Sequence, residues 1–125
     1  MALDPNRWTI KTQEAMQAAI EAARSSSHAE VVPDHLIAAL LGQAEGVVLP
    51  VLSRVGQQPK VIRDGVEERL AKLPRAYGGS EPNLSRDLRD VVDVADRARE
   101  ELHDEYLSTE HLLLAVADRL DLDRE

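Results

Sequence analysis

The stretch from Asp104 to Val116, "DEYLSTEHLLLAV", contains the start of a helix. Ser108 is a residue type that caps helices, Glu110 falls in the first turn, where a carboxylate meets the positive end of the helix dipole, and an apolar run follows from Leu112. Far upstream, "VVPDHLIAAL", residues 31–40, has the same layout, with Pro33 suited to the first helical position and Asp34 to the first turn. Setting His35 against His111 gives an offset of 76 residues (111 − 35), and at that offset residues 8–40 lie on residues 84–116 without a gap. Two N-cap residues then coincide, Thr9 with Ser85, as do Ala19 with Ala95, Ala22 with Ala98, Leu36 with Leu112 and Ala39 with Ala115. A repeat of this kind reads as one supersecondary unit used twice. Each unit alone has too little apolar surface to bury, so the two are expected to pack face to face in a pseudo-twofold bundle, with the paired alanines letting the backbones approach closely.

Working outward, the chain reads as helices and essentially nothing else. Ala15, Met16, Ala19, Ala22 and Ala23 recur at helical spacing over residues 10–25 behind Thr9. The second helix runs from Pro33 to a stop at Gly42, and "GVVLPVLSRVG" is a short third one closed by Gly56. Pro59 opens a fourth, with Ile62, Val66 and Leu70, that ends at Leu73-Pro74. "PRAYGGSEPN", rich in Pro and Gly and without period, is the linker. Ser85 opens a fifth helix carrying Leu88, Val91, Val92, Val94, Ala95, Ala98 and Leu102, and Ser108 opens the sixth. The expectation is an all-α bundle of six to eight helices forming one domain over 1–125: repeat one about 8–73, linker about 74–83, repeat two about 84–125. The second unit is shorter than the first, since Glu125 falls opposite Leu49 (125 − 76), and "LDLDRE" reads as the start of another helix. A domain excised from a longer protein is therefore expected.

Composition excludes whole classes of function. A net charge of −8 argues against nucleic acid and against anionic membranes, both of which call for a clustered basic face. With no cysteine, disulfides, thiolate catalysis and cysteine-ligated metal are ruled out. There is no apolar run of membrane-spanning length and no signal-peptide core near the start, so a soluble, cytoplasmic protein is expected. No Gly-x-x-x-x-Gly-Lys-Ser/Thr phosphate loop occurs anywhere, so no nucleotide site of that type exists in these 125 residues. Neighbouring acid and His residues on a helix point about 100° apart, no His-Glu-x-x-His spacing occurs, and no nucleophile motif accompanies either pair. The acid-His pairs are accordingly expected to be structural, the acids bonding free amides of the first turn and each His packing or bonding locally. No catalytic residue, metal or cofactor is expected.

"WTIKTQEAMQAAIEAA", "VPDHLIAALL", the "LAKLP" helix end and above all "DEYLSTEHLLLA" resemble the amino-terminal Clp repeat domain of bacterial ClpB-type AAA+ disaggregases, with the ClpC and ClpA domains as near neighbours. The "LP" ending and the long linker favour the ClpB type. The resemblance implies a non-catalytic module that captures unfolded or aggregated polypeptide for a hexameric ATPase motor absent from this chain. The alternative it leaves open is docking of a folded adaptor protein, as in the ClpC and ClpA kind. It places polar binding positions at Thr9, Asp104 and Glu110 and groove-lining apolar positions at Val92 and Val94; His111 stands where the family groove can carry a leucine. With one Trp, two Tyr and no Phe, any peptide site is expected to be shallow and aliphatic.

Overall fold

The computed structural model describes residues 4–75 and 81–117. The "LDLDRE" segment and the centre of the linker lie outside the described residues. Helix α1, Ile10–Ser25, begins at Thr9, whose Oγ1 accepts the Thr12 N–H at 3.2 Å. Helix α5, Arg86–Glu101, begins the same way at Ser85, whose Oγ accepts the Leu88 N–H at 3.0 Å. Such a cap is worth about 1 kcal/mol, because it satisfies an amide that the helix cannot.

The two helices also end alike. Ser27 and His103 both take the left-handed conformation, φ 59°. The N–H of Ser27 donates to Arg24 O and that of His28 to Ala23 O, while His103 donates to Glu100 O and Asp104 to Arg99 O. This is the doubled hydrogen bond of a Schellman ending, in which glycine is the unstrained residue. Ser27→Gly and His103→Gly are each expected to raise stability by about 0.5 kcal/mol, read as a higher urea midpoint, since relief of strain exceeds the added freedom of the unfolded chain.

The remaining helices are α2, Pro33–Leu41, α3, Val48–Arg54, α4, Pro59–Ala71, and α6, Thr109–Val116. Gly56 closes the turn after α3 with φ 82°. Between helices the extended chain is paired, which the sequence reading did not foresee. Strand β1, Glu30–Val31, runs parallel to β2, Asn83–Leu84, and Trp8 forms a parallel bridge with Leu107. At the 76-residue offset Trp8 matches Leu84 and Leu107 matches Val31, so the two pairings are the same pairing exchanged. Thr9 N–H donates to Leu107 O at 2.9 Å, and Ser85 N–H to Val31 O at 3.0 Å. Each half is thus stitched to the other through the residues just ahead of its helices. Strands of two residues make no layer, and the fold is all-α.

The core lies between the halves. Helix α1 packs on α2 and α5 on α6, with α4 as a third helix along α2. Met16, Leu36, Leu40, Leu88, Leu112 and Val116 are buried there, and Ala19 and Ala95 are completely so. Of the other matched alanine pairs, Ala22 is exposed and Ala98 half-buried, and Ala39 and Ala115 are both half-buried, so full burial of matched small residues is confined to the first pair.

Candidate functional site

Each acid-His pair sits at a helix start, but the histidine is the capping partner. Pro33 and Thr109 are the first residues of α2 and α6, which makes His35 and His111 the third, the position from which a side chain reaches back to the N-cap amide. His35 Nδ1 accepts the Val32 N–H at 2.9 Å, and His111 Nδ1 accepts the Ser108 N–H at 2.8 Å. With Nδ1 used as acceptor, the ring proton resides on Nε2. His35 Nε2–H then donates to His28 Nδ1 at 2.9 Å, and His111 Nε2–H donates to Asp104 Oδ2 at 2.8 Å. His28 and Asp104 are the residues that the two Schellman endings deliver, 76 apart (104 − 28).

The local bonding expected of the histidines is found, whereas the role expected of the carboxylates is corrected. Asp34 bonds no free amide; it takes the guanidinium of Arg69 in a two-point contact, Nη2 to Oδ1 at 2.9 Å and Nε to Oδ2 at 3.1 Å. The second helical residue points outward, beyond reach of the N-cap amide that the third residue takes. Its counterpart Glu110 is exposed and has no ion-pair partner among the described residues. Burial pushes His35 down to about 4, helped by its neighbour His28 and opposed by Asp34. His28 is lowered too, by burial and then by Arg75. Both rings are therefore neutral at pH 7.

A shallow cleft of about 300 Å³ opens beside the second pair, lined by Asp104, Glu110, His111, Leu113 and Leu114, by Leu102 at the end of α5 and by Val51 of α3. Leu102 and Leu114 are 57 % and 59 % exposed among the described residues. Their polar neighbours form one rim: Asp104 is held by His111, while Glu110 has no ion-pair partner among the described residues. A second cleft of about 280 Å³, lined by Pro5, Trp8, Met16 and Ile20 among others, carries no charged side chain.

Three of the six residues singled out from the sequence, Asp104, Glu110 and His111, meet in the first cleft. Thr9 is next to α6 through its backbone bond to Leu107, but its hydroxyl is spent on the α1 cap and on a 2.9 Å contact with Thr12 Oγ1, and it does not line the cleft. Val92 is 0 % exposed and packed in the core, which corrects its placement in a groove. Val94 is 43 % exposed on the outer side of α5, away from the cleft. Leu102, Leu113, Leu114 and Val51 were not singled out as lining. The signal for Leu114 was present, since three consecutive leucines, 112–114, cannot all share one buried helix face. Among the described residues no group of three or more His, Asp or Glu is placed to hold a metal ion, and no helix is long and apolar enough to cross a membrane.

Residues 7–123 match the family model described as the Clp repeat (R) N-terminal domain. The chain is 46 % identical over 111 residues to the chaperone protein ClpB of Corynebacterium diphtheriae, covering 87 % of this chain and 13 % of that protein. It is 41 % identical over 110 residues to ClpB of Mycobacterium tuberculosis, with the same two coverages, 87 % and 13 %. Among solved structures, the N-terminal domain of the ClpV1 ATPase from the E. coli EAEC Sci1 T6SS superposes with a TM-score of 0.83 at 25 % identity, over 94 % of this chain and 71 % of that one. The Hsp104 N-terminal domain from Candida albicans gives 0.81 at 20 % identity, over 93 % and 77 %.

Proposed function

Because the chain belongs to the Clp repeat N-terminal domain family, we propose that it is a non-catalytic polypeptide-binding module that captures unfolded or aggregated protein for an AAA+ motor. It spans 13 % of the length of the ClpB relatives, and the motor, a hexamer in this reading, belongs to the remainder of such a protein. The observation that carries the proposal is the exposed aliphatic cleft of Leu102, Leu113, Leu114 and Val51 with the Asp104 and Glu110 carboxylates on its rim. An extended chain burying roughly 300 Å² of apolar surface there gains on the order of 7 kcal/mol gross, and association and ordering take back much of it. The outcome is weak, sequence-tolerant binding, which becomes useful when several copies act together on one ring. Thr9 and Val94 are outlying members of this surface in the proposal, and Val92 is withdrawn from it. His111 acts by holding Asp104.

The test is titration of a fluorescent, permanently reduced and carboxymethylated protein, and of its native form, against the 125-residue chain. The unfolded form is expected to bind at least tenfold more tightly, and Leu114→Asp to weaken it about tenfold with the melting temperature unchanged. Equal binding of both forms, or a folded Leu114→Asp variant that binds like the parent, overturns capture of unfolded chains at this cleft and favours docking of a folded adaptor.

A further inference from the structure

Two main-chain stitches join the halves, and each runs past one of the histidines. In the first, Ser85 N–H donates to Val31 O and Asn83 N–H to Ala29 O, so strand β1 is gripped between His28 and Val32. In the second, Thr9 N–H donates to Leu107 O and Leu107 N–H to Arg7 O, one residue ahead of Ser108. Each stitch is followed at once by an N-cap amide held by a histidine Nδ1, Val32 by His35 and Ser108 by His111. A change at the histidine is therefore passed to the stitch beside it.

The two halves are built to meet a proton differently. One added to His111 goes to Nδ1, where the Ser108 amide has to turn away, but Ser108 Oγ lies 3.1 Å from that nitrogen and can accept from it. The opposite nitrogen already donates to the Asp104 carboxylate, whose charge a positive ring would neutralise. Neither provision exists in the first half. Val32 has no hydroxyl, and His35 Nε2–H points at another imidazole, whose Nδ1 can take a proton only by giving up that bond. The surrounding charges do not repair this. Asp34 on α2 favours the cation but is already engaged by Arg69 of α4, and Arg75, bridged to His28 through the backbone, opposes it. Glu30 is exposed beside His28 in a cleft of about 110 Å³, formed with Val32, Leu73 and Pro74, that brings solvent to the ring.

We infer that the His28–His35 pair makes the Val31–Ser85 stitch acid-labile while the Thr9–Leu107 stitch holds, so that acid uncouples the halves on one side before the domain unfolds. A proton entering the pair breaks either the bond from His35 to His28 or the cap on Val32, and a second proton sets two like charges side by side. Either loss frees β1, which lies between the two histidines in sequence, from β2. His35 is held at about 4 while the pair is closed and returns toward 6.5 once it opens. Opening therefore takes up protons and is favoured as the pH falls below 6.5.

The test is amide hydrogen exchange of the 125-residue chain, followed by NMR at pH 7 and pH 5 with each rate corrected for intrinsic exchange. Protection at Val32, Asn83 and Ser85 is expected to fall about tenfold or more, while that at Thr9, Leu107 and Ser108 changes by less than about twofold. His28→Asp combined with Val32→Ser transplants the second-half residues into the first half, and is expected to keep Ser85 protection at pH 5 within about twofold of its value at pH 7. His28→Asn combined with His35→Gln keeps neutral partners and removes both titrations; it is expected to give the same result, and it serves if the transplant does not fold. Parallel loss at both stitches in the parent means global unfolding and overturns the inference. So does equal Ser85 protection at the two pH values in the parent, or a parent-like loss at Ser85 in either folded variant.

Discussion

Val92→Asp is expected to abolish most of the stability of the domain, whereas Val94→Asp, two residues along the same helix, is expected to leave it nearly unchanged. Val92 is 0 % exposed among the residues of the core, and Val94 is 43 % exposed. An aspartate at position 92 either stays charged without a partner in a dry interior or takes up a proton to avoid that, and both routes cost several kcal/mol. A loss of about 4 kcal/mol is a large part of the 5–15 kcal/mol that separates a domain of this kind from its unfolded state. At position 94 the new carboxylate keeps its water, and the change should lie within about 0.5 kcal/mol. Urea unfolding of both variants reads the difference directly. Equal losses would mean that α5 does not present its faces as described.

The second large effect is one of pH. The folded state holds His35 at about 4, below the ordinary value of 6.5, because burial and the adjacent His28 both disfavour the cation. The folded protein thus binds fewer protons than the unfolded chain in that interval, and its stability is complete above pH 6.5 and falls as the pH drops toward 4. A shift of that size corresponds to a ceiling of about 3 kcal/mol. His28, also lowered, acts in the same direction, while Asp34 opposes and Arg75 reinforces. The geometry explains why no relaxed cation is available. A proton on His35 Nδ1 faces the Val32 N–H, and one on His28 Nδ1 faces His35 Nε2–H. His35→Gln keeps an acceptor for the Val32 amide but cannot titrate, so its unfolding free energy should be much flatter between pH 6.5 and 4.5. A variant with the same slope as the parent would assign the acid sensitivity to other groups.

The reading of α5 shows how much can be recovered from order alone. Two residues apart on a helix point about 200° apart, so Val92 and Val94 could never line one groove together, and Leu88, Val91, Val92 and Ala95 form the apolar stripe that does turn inward. That much was legible, and it was the resemblance to a family that placed both valines in the site. The histidine caps were half legible. Ser108 and His111 have the separation of a capping box, but with histidine where glutamate or glutamine is usual.

What the sequence determined by itself is the set of helices, the Thr9 and Ser85 caps and the 76-residue correspondence, because each depends on residues within a turn or two of one another or on a comparison of the chain with itself. The bundle of two related halves follows, since neither half has enough apolar surface alone. Only the tertiary structure decided the partners that are distant in sequence. Nothing local says that Asp34 is claimed by Arg69, 35 residues away. Nor does anything local say that His28 and Asp104, dissimilar residues at matching positions, approach the same nitrogen of two matching histidines. Periodicity reports which face of a helix is apolar; whether that face is covered depends on which other helix reaches it, and that is settled by the packing of the whole chain.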